Sequence, residues 1–181
     1  MALDIAPGLG RSFGFESFRH HDQSGWAAVR RAAEARRQAP RALAIHGSDI
    51  VGEWVRRTRV NLDAGGLAKC VTLERADLLE RMPPAAEGVM VTNPPYGVRL
   101  GETEELADFY PRLGDALKQR WGGWRCYIFS ADPALAKLIK LKASKRTPLF
   151  NGALECRLYE YRMVAGSNRP KERGDAERAP D

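Results

Sequence analysis

Short unbroken apolar runs alternate with stretches of helical period along most of the chain. That order predicts an α/β fold in which crossover helices join the strands of one sheet. Residues 1–3 read as the tail of a helix, broken by Pro7-Gly8-Leu9-Gly10. Residues 1–23 are otherwise glycine-rich and irregular, with Phe13, Phe15 and Phe18 spaced to lay a short apolar flap over the sheet. Ser24 is placed as an N-cap, and an Ala/Arg-rich helix is expected over 26–39, ended by Pro40. A strand over 42–46 ends at Gly47-Ser48-Asp49. A helix over 50–64 follows, with Trp54, Val55 and Leu62 on its core face and Gly65-Gly66 closing it. Residues 70–73 form the next strand, and 89–91, Val-Met-Val, a buried parallel one. The stripe Leu106, Phe109, Tyr110, Leu113 and Leu117 predicts a helix over 104–121, explained by core packing. A strand over 124–130 leads into a helix opened by Asp132-Pro133 and carrying Leu135, Leu138, Ile139 and Leu141. Strands over 147–150 and 153–164 flank Asn151-Gly152, a strong hairpin signal. Residues 165–181 are polar, of mixed charge, and read as a disordered tail.

Composition narrows the class. With 181 residues, 44% hydrophobic and 29% charged, the chain suits one globular domain with a real core. No apolar run approaches a membrane span and no secretory signal opens the chain, which predicts a cytoplasmic protein. Cys70, Cys126 and Cys156 are widely separated and odd in number, so they read as buried free thiols rather than disulfides or a zinc site. His20-His21-Asp22 has no second cluster to complete a metal site and reads as a solvated loop; no metal is expected. Net charge is +6, but residues 118–146 alone hold eight basic residues (Lys118, Arg120, Arg125, Lys137, Lys140, Lys142, Lys145, Arg146) against Asp132. Eight minus one gives +7, more than the whole chain carries. Such clustering suits phosphate binding, and a charged outer helix face explains part of it. Arg30, Arg31, Arg36 and Arg37 allow the same two readings.

The chemistry concentrates at 88–97, Gly-Val-Met-Val-Thr-Asn-Pro-Pro-Tyr-Gly. Two prolines stop the strand and hold Asn93 extended, giving a stiff loop where open α/β sheets bind ligands. The Asn93 side-chain oxygen and the Pro94 carbonyl can both accept from one planar amino group, and Tyr96 offers a face for a base. A purine amino group is a poor nucleophile because its lone pair is delocalised. Two acceptors on its hydrogens favour the pyramidal form that can attack. Asp49, at a strand end, is placed to bind ribose hydroxyls and to cap the following helix, and the two roles coexist.

Asn93-Pro94-Pro95-Tyr96 resembles the motif of S-adenosylmethionine-dependent amino-methyltransferases acting on adenine N6, cytosine N4, guanine N2 or glutamine amides. Asp4-Ile5-Ala6-Pro7-Gly8, Phe13-Gly14-Phe15-Glu16, Gly47-Ser48-Asp49, Gly122-Gly123-Trp124 and Phe129-Ser130-Ala131 extend the likeness over about 1–164. Together they resemble the methylase domain of RlmL-type 23S rRNA guanine-N2 methyltransferases, a THUMP-associated RNA methylase family. The resemblance implies a class I methyltransferase (Rossmann-like) sheet with a C-terminal antiparallel hairpin. It also implies S-adenosylmethionine as cofactor and 23S rRNA, or its precursor particle, as partner. It assigns catalysis to Asn93, Pro94, Pro95 and Tyr96, and cofactor binding to Asp49, Asp77 and Asn93. Asp77 would accept from the cofactor's adenine amino group, with capping of the 78–80 turn as the other reading. The first strand of that fold and its glycine-rich turn, approximately Pro-x-Cys-Gly-Ser-Gly-Thr, find no match here. Residues 1–164 therefore read as a partial methyltransferase domain. Alone it is expected to bind the cofactor weakly or not at all, the missing strand coming from an upstream segment or a second chain. The rival readings are a DNA adenine-N6 methyltransferase and a non-catalytic RNA-binding remnant.

Overall fold

The computed structural model describes residues 2–95 and 103–164. They fall into two compact units, Met1–Arg75 and Ala76–Asp181. Residues 165–181, expected to be disordered, lie outside the described residues, as does Tyr96.

In the first unit, a 3-10 turn at Gly14–Ser17 precedes α1 (Gln23–Ala35). The cap of α1 is Asp22 rather than Ser24. The Asp22 carboxylate accepts from the Gly25 N–H at 2.9 Å and from the Ser24 hydroxyl at 2.8 Å. A carboxylate complements the positive helix N-terminus better than a hydroxyl, and those hydrogen bonds hold the Asp22 pKa below its usual value. Phe13 and Phe15 pack beside α1. They stack on each other at 5.6 Å and meet Trp26 of α1 edge-on at 5.5 and 5.0 Å, while Phe18 stays exposed.

The strand expected over 42–46 becomes regular later, as β1 (His46–Asp49), after Leu43 N–H has bonded Cys70 C=O and Thr72 N–H has bonded Ile45 C=O. Next come α2 (Gly52–Ala64), a 3-10 turn at Ala68–Cys70, and β2 (Thr72–Arg75), parallel to β1 from His46↔Thr72 to Asp49↔Arg75. Gly65 and Gly66 end α2, Gly66 with φ +67°. Trp54, expected in the core, is 51% exposed and lies under the Arg57 guanidinium at 4.8 Å. Only Leu3 and Cys70 are buried among the described residues of this unit.

The second unit carries the core. It comprises β3 (Gly88–Thr92), α3 (Thr103–Arg120), β4 (Trp124–Ser130), α4 (Pro133–Leu138), β5 (Lys145–Asn151) and β6 (Leu154–Arg162). Its sheet runs β3-β4-β6-β5, with β3 and β4 parallel and β6 antiparallel to both neighbours. The closing hairpin turns at Gly152-Ala153, one position later than the Asn151-Gly152 signal, with Asn151 paired to Leu154 and Gly152 at φ +62°. The apolar stripe of α3 is realised: Leu106, Tyr110, Leu113 and Leu117 are buried with Cys126 and Ile128 of β4, Leu135 and Ile139 around α4, and Tyr159 and Tyr161 of β6. Asp132 caps α4, accepting from the Ala134 and Leu135 N–H groups. That helix stops at Leu138, so Leu141 packs from the connection beyond it. All three cysteines are free and buried. No helix among the described residues is long and apolar enough to cross a membrane, and none of their His, Cys, Asp and Glu side chains cluster as a metal site would require.

Candidate active site

The Asn93 loop leaves the carboxyl end of β3, whose register on β4 runs from Gly88↔Trp124 to Thr92↔Ile128. Both ends of this strand are held by side chains outside it. At the start, the Trp124 indole covers Gly88 so closely that a Cβ there would meet ring atoms at 2.6–2.9 Å. The indole N–H donates to the Ala85 carbonyl at 2.9 Å. At the far end, Pro94 is buried, and the Tyr110 hydroxyl of α3 donates to the Pro95 carbonyl at 3.2 Å. Between these anchors Asn93 is exposed, and its side chain makes no hydrogen bond with another described residue. An uncommitted carboxamide on a fixed backbone is free to serve a ligand. The tethering role of Tyr110 was not read from the sequence, where it counts as part of the α3 stripe. The available signal was chemical, because a tyrosine wholly inside a core needs a partner for its hydroxyl.

The two aspartates belong to different units. Asp49 ends β1, and its Oδ1 accepts from the Val51 N–H at 2.8 Å. It therefore shapes the entry to α2, whose N-cap position is Val51. Asp77 follows β2, and its Oδ1 accepts from the Leu79 N–H at 2.8 Å, so the turn-capping reading is realised. Each carboxylate spends one oxygen on these backbone bonds and keeps another for a ligand. The basic residues of 118–146 do not gather on one element. Lys118 pairs with Asp115 at 3.1 Å along α3, Arg125 lies on β4, and Arg146 on β5.

Residues 1–160 match the UPF0020 family model, described as RMKL-like, methyltransferase domain. The chain belongs to this family. It is 42% identical over 175 residues to "Ribosomal RNA large subunit methyltransferase K/L" of Shewanella sp. (strain W3-18-1), across 93% of this chain. The chain spans about a quarter (24%) of the length of the curated relatives it matches. Among solved structures it resembles "SMU.472, a putative methyltransferase complexed with SAH", with TM-score 0.80 and 30% identity over 89% of this chain and 42% of that one. It also resembles a predicted N6-adenine-specific DNA methylase from Listeria monocytogenes, with TM-score 0.75 and 27% identity over 89% of this chain and 41% of that one. The fold is that of the class I methyltransferases.

Proposed function

We propose that this domain serves S-adenosylmethionine-dependent methylation of the N2 amino group of a guanine in 23S rRNA. The observation that carries the reading is Asn93, exposed and uncommitted at the end of β3, with Pro94 buried beneath it. The name of the rRNA methyltransferase relative supports the substrate class. The Asn93 side-chain oxygen and the Pro94 carbonyl accept the two hydrogens of the amino group, and Tyr96 stacks on the base. Positioning and electrostatic preorganisation supply the catalysis, with no covalent enzyme intermediate. The guanine must leave its helix to reach such a loop. The free oxygen of Asp49 suits a ribose hydroxyl and that of Asp77 an adenine amino group. When bound, the cofactor supplies an electrophilic methyl group.

The residues present fit only part of that cofactor. Its methionine end needs the close backbone approach of a glycine-rich turn, which no described residue provides. β1 pairs only with β2, and β3 only with β4, among the described residues, so each keeps an unpaired edge. We read the edge of β3 as a seat for a further strand of the family topology, supplied by an upstream segment or a second chain. Calorimetric titration of S-adenosylmethionine should show binding only after that strand and turn are added. Micromolar binding by this chain alone would refute the assignment.

The catalytic reading is tested by Asn93→Ala in a protein that is active on rRNA. Loss of one preorganised acceptor should lower turnover about 10²–10³-fold, as loss of an oxyanion-hole donor does, and leave cofactor affinity nearly unchanged. Near-normal turnover would remove Asn93 from the mechanism. Nucleoside analysis of methylated rRNA and DNA distinguishes guanine N2 from adenine N6, which the likeness to the Listeria protein keeps as the second reading.

A further inference from the structure

Lys137, in the last turn of α4, and Arg146 of β5 line one cavity of about 230 Å³ together with Arg157 of β6. Arg157 lies outside the basic segment that the sequence singles out. Ala136, Tyr159 and Tyr161 supply an apolar and aromatic wall. Three cations face this concavity and no carboxylate lines it. The side chains of Lys137 and Arg146 have no ion-pair or hydrogen-bond partner among the described residues. Arg157 has only an exposed pairing with Glu155 at 3.4 Å. Cations gathered over low-dielectric walls without counter-charges raise the local potential and attract an anion. The cavity is smaller than the roughly 300–1,000 Å³ pockets that enclose drug-sized ligands, so it suits one small anionic group.

Its position in the sheet connects it to the loop. Arg157 pairs with Ser130, two residues beyond Ile128, and Ile128 pairs with Thr92. Arg157 therefore lies at the sheet end from which the Asn93 loop leaves. β6 is two strands from β3, about 10 Å at the usual strand spacing, or about three nucleotide steps of a stacked strand.

We propose that the cavity lined by Lys137, Arg146 and Arg157 seats a backbone phosphodiester of the RNA whose base is presented to Asn93. This rests on the rRNA reading given above. Arg supplies a planar fork that can take two phosphate oxygens, and Lys a movable point charge. Burial, with Tyr159 beside it, pushes the Tyr161 hydroxyl up to about 12, so it stays protonated at working pH.

The test is the affinity of the full chain for a 23S rRNA fragment, followed by fluorescence anisotropy over a range of salt concentration. Lys137→Ala, Arg146→Ala and Arg157→Ala together should reduce the log–log salt slope by about 0.7–0.9, the share of one phosphate, and each alone by a part of it. Arg146→Lys should keep most of that slope. Lys118→Ala, at a lysine already paired with Asp115, should leave it unchanged. Circular dichroism of each variant separates lost contact from lost fold. If the wild type binds rRNA with a clear salt slope and the triple alanine variant keeps it, the phosphate seat is overturned while the rRNA reading stands. If the wild type has no rRNA affinity, the rRNA reading itself falls. Equal competition by a poly-glutamate peptide of matched charge would assign the cavity to acidic peptides and overturn the phosphodiester proposal.

Discussion

Gly114→Ala sets two opposed effects against each other at the centre of the second unit. Gly114 lies inside α3, where glycine costs about 0.5–1 kcal/mol relative to alanine through backbone entropy. On propensity alone the substitution should stabilise. However, a Cβ built on Gly114 overlaps the carbonyl oxygen of Ile139 and comes within 2.9 Å of its carbonyl carbon. These are backbone atoms, so no rotamer change relieves the contact. Ile139 is itself fully buried at the C-cap of α4, packed on the same core, and cannot swing away freely. Forcing extra volume into such a site costs about 1–3 kcal/mol, and the upper part of that range applies where the obstacle is backbone. Steric cost exceeds propensity gain, and the expected net destabilisation is about 1–2 kcal/mol. Urea unfolding followed by circular dichroism measures it, with a lower midpoint at unchanged slope as the expected result. A variant as stable as the wild type would refute the close approach of α3 to the end of α4.

Two further outcomes follow from the core. Tyr110→Phe removes a hydroxyl whose 3.2 Å bond to Pro95 is long for its type, so stability should fall by only about 0.5 kcal/mol. In a protein that is active on rRNA, turnover should nevertheless drop roughly threefold to tenfold through loss of loop position, and unchanged turnover would show that the tether is dispensable. Burial holds the Cys126 thiol up at about 12 from 9.0, and burial raises the Tyr161 hydroxyl to about 12 from 10.0. Between about pH 9 and 12 the unfolded chain releases these protons and the folded chain keeps them, so stability should fall with rising pH across that window. Urea midpoints across it measure the loss, Cys126→Ala should remove the part that begins near pH 9, and a flat profile would refute the burial of both groups.

The second unit was legible in the sequence to within a residue or two over most of its elements. There, strong local signals coincide with burial. The β4 strand alternates between a core face and an outer face, Gly152 suits the hairpin turn, and Asp132-Pro133 opens a helix whose orphan N–H groups the aspartate satisfies. In the first unit the signals compete. Asp22 and Ser24 are both capping residues two positions apart, and only the geometry shows the hydroxyl donating to the carboxylate that caps. The apolar stretch before His46 is extended and bonded to the following segment, but regular parallel rungs begin only at His46. Trp54 lies on the apolar face of α2, as its spacing predicts, yet it is half exposed. Periodicity reports which face of a helix is apolar and says nothing about what covers it. At the site, proline chemistry made the stiff loop readable. The pairing of Tyr110 with Pro95 joins positions 15 apart, and no local pattern encodes it.

The placement of Asn93 shows how the backbone of an exposed polar residue can be held without contacts from its own side chain. A free asparagine at a strand end would sample several rotamers and backbone states, and ordering it on a ligand would cost about 1–2 kcal/mol for the backbone alone. Here most of that cost is met in folding. The ring of Trp124 leaves no room for a side chain at Gly88, which fixes the start of β3 against the start of β4. Five paired positions then carry the strand to Thr92 without slippage, because a one-residue shift would move Met90 out of the core and its exposed neighbours Val89 and Val91 into it. Pro94 and Pro95 remove φ freedom immediately after Asn93, and Tyr110 bonds the carbonyl that follows. What remains free is the Asn93 side chain itself, two torsions with one acceptor oxygen. A site that positions a weakly nucleophilic amino group gains most from this arrangement, since the acceptors need not reorganise as charge develops on the attacking nitrogen.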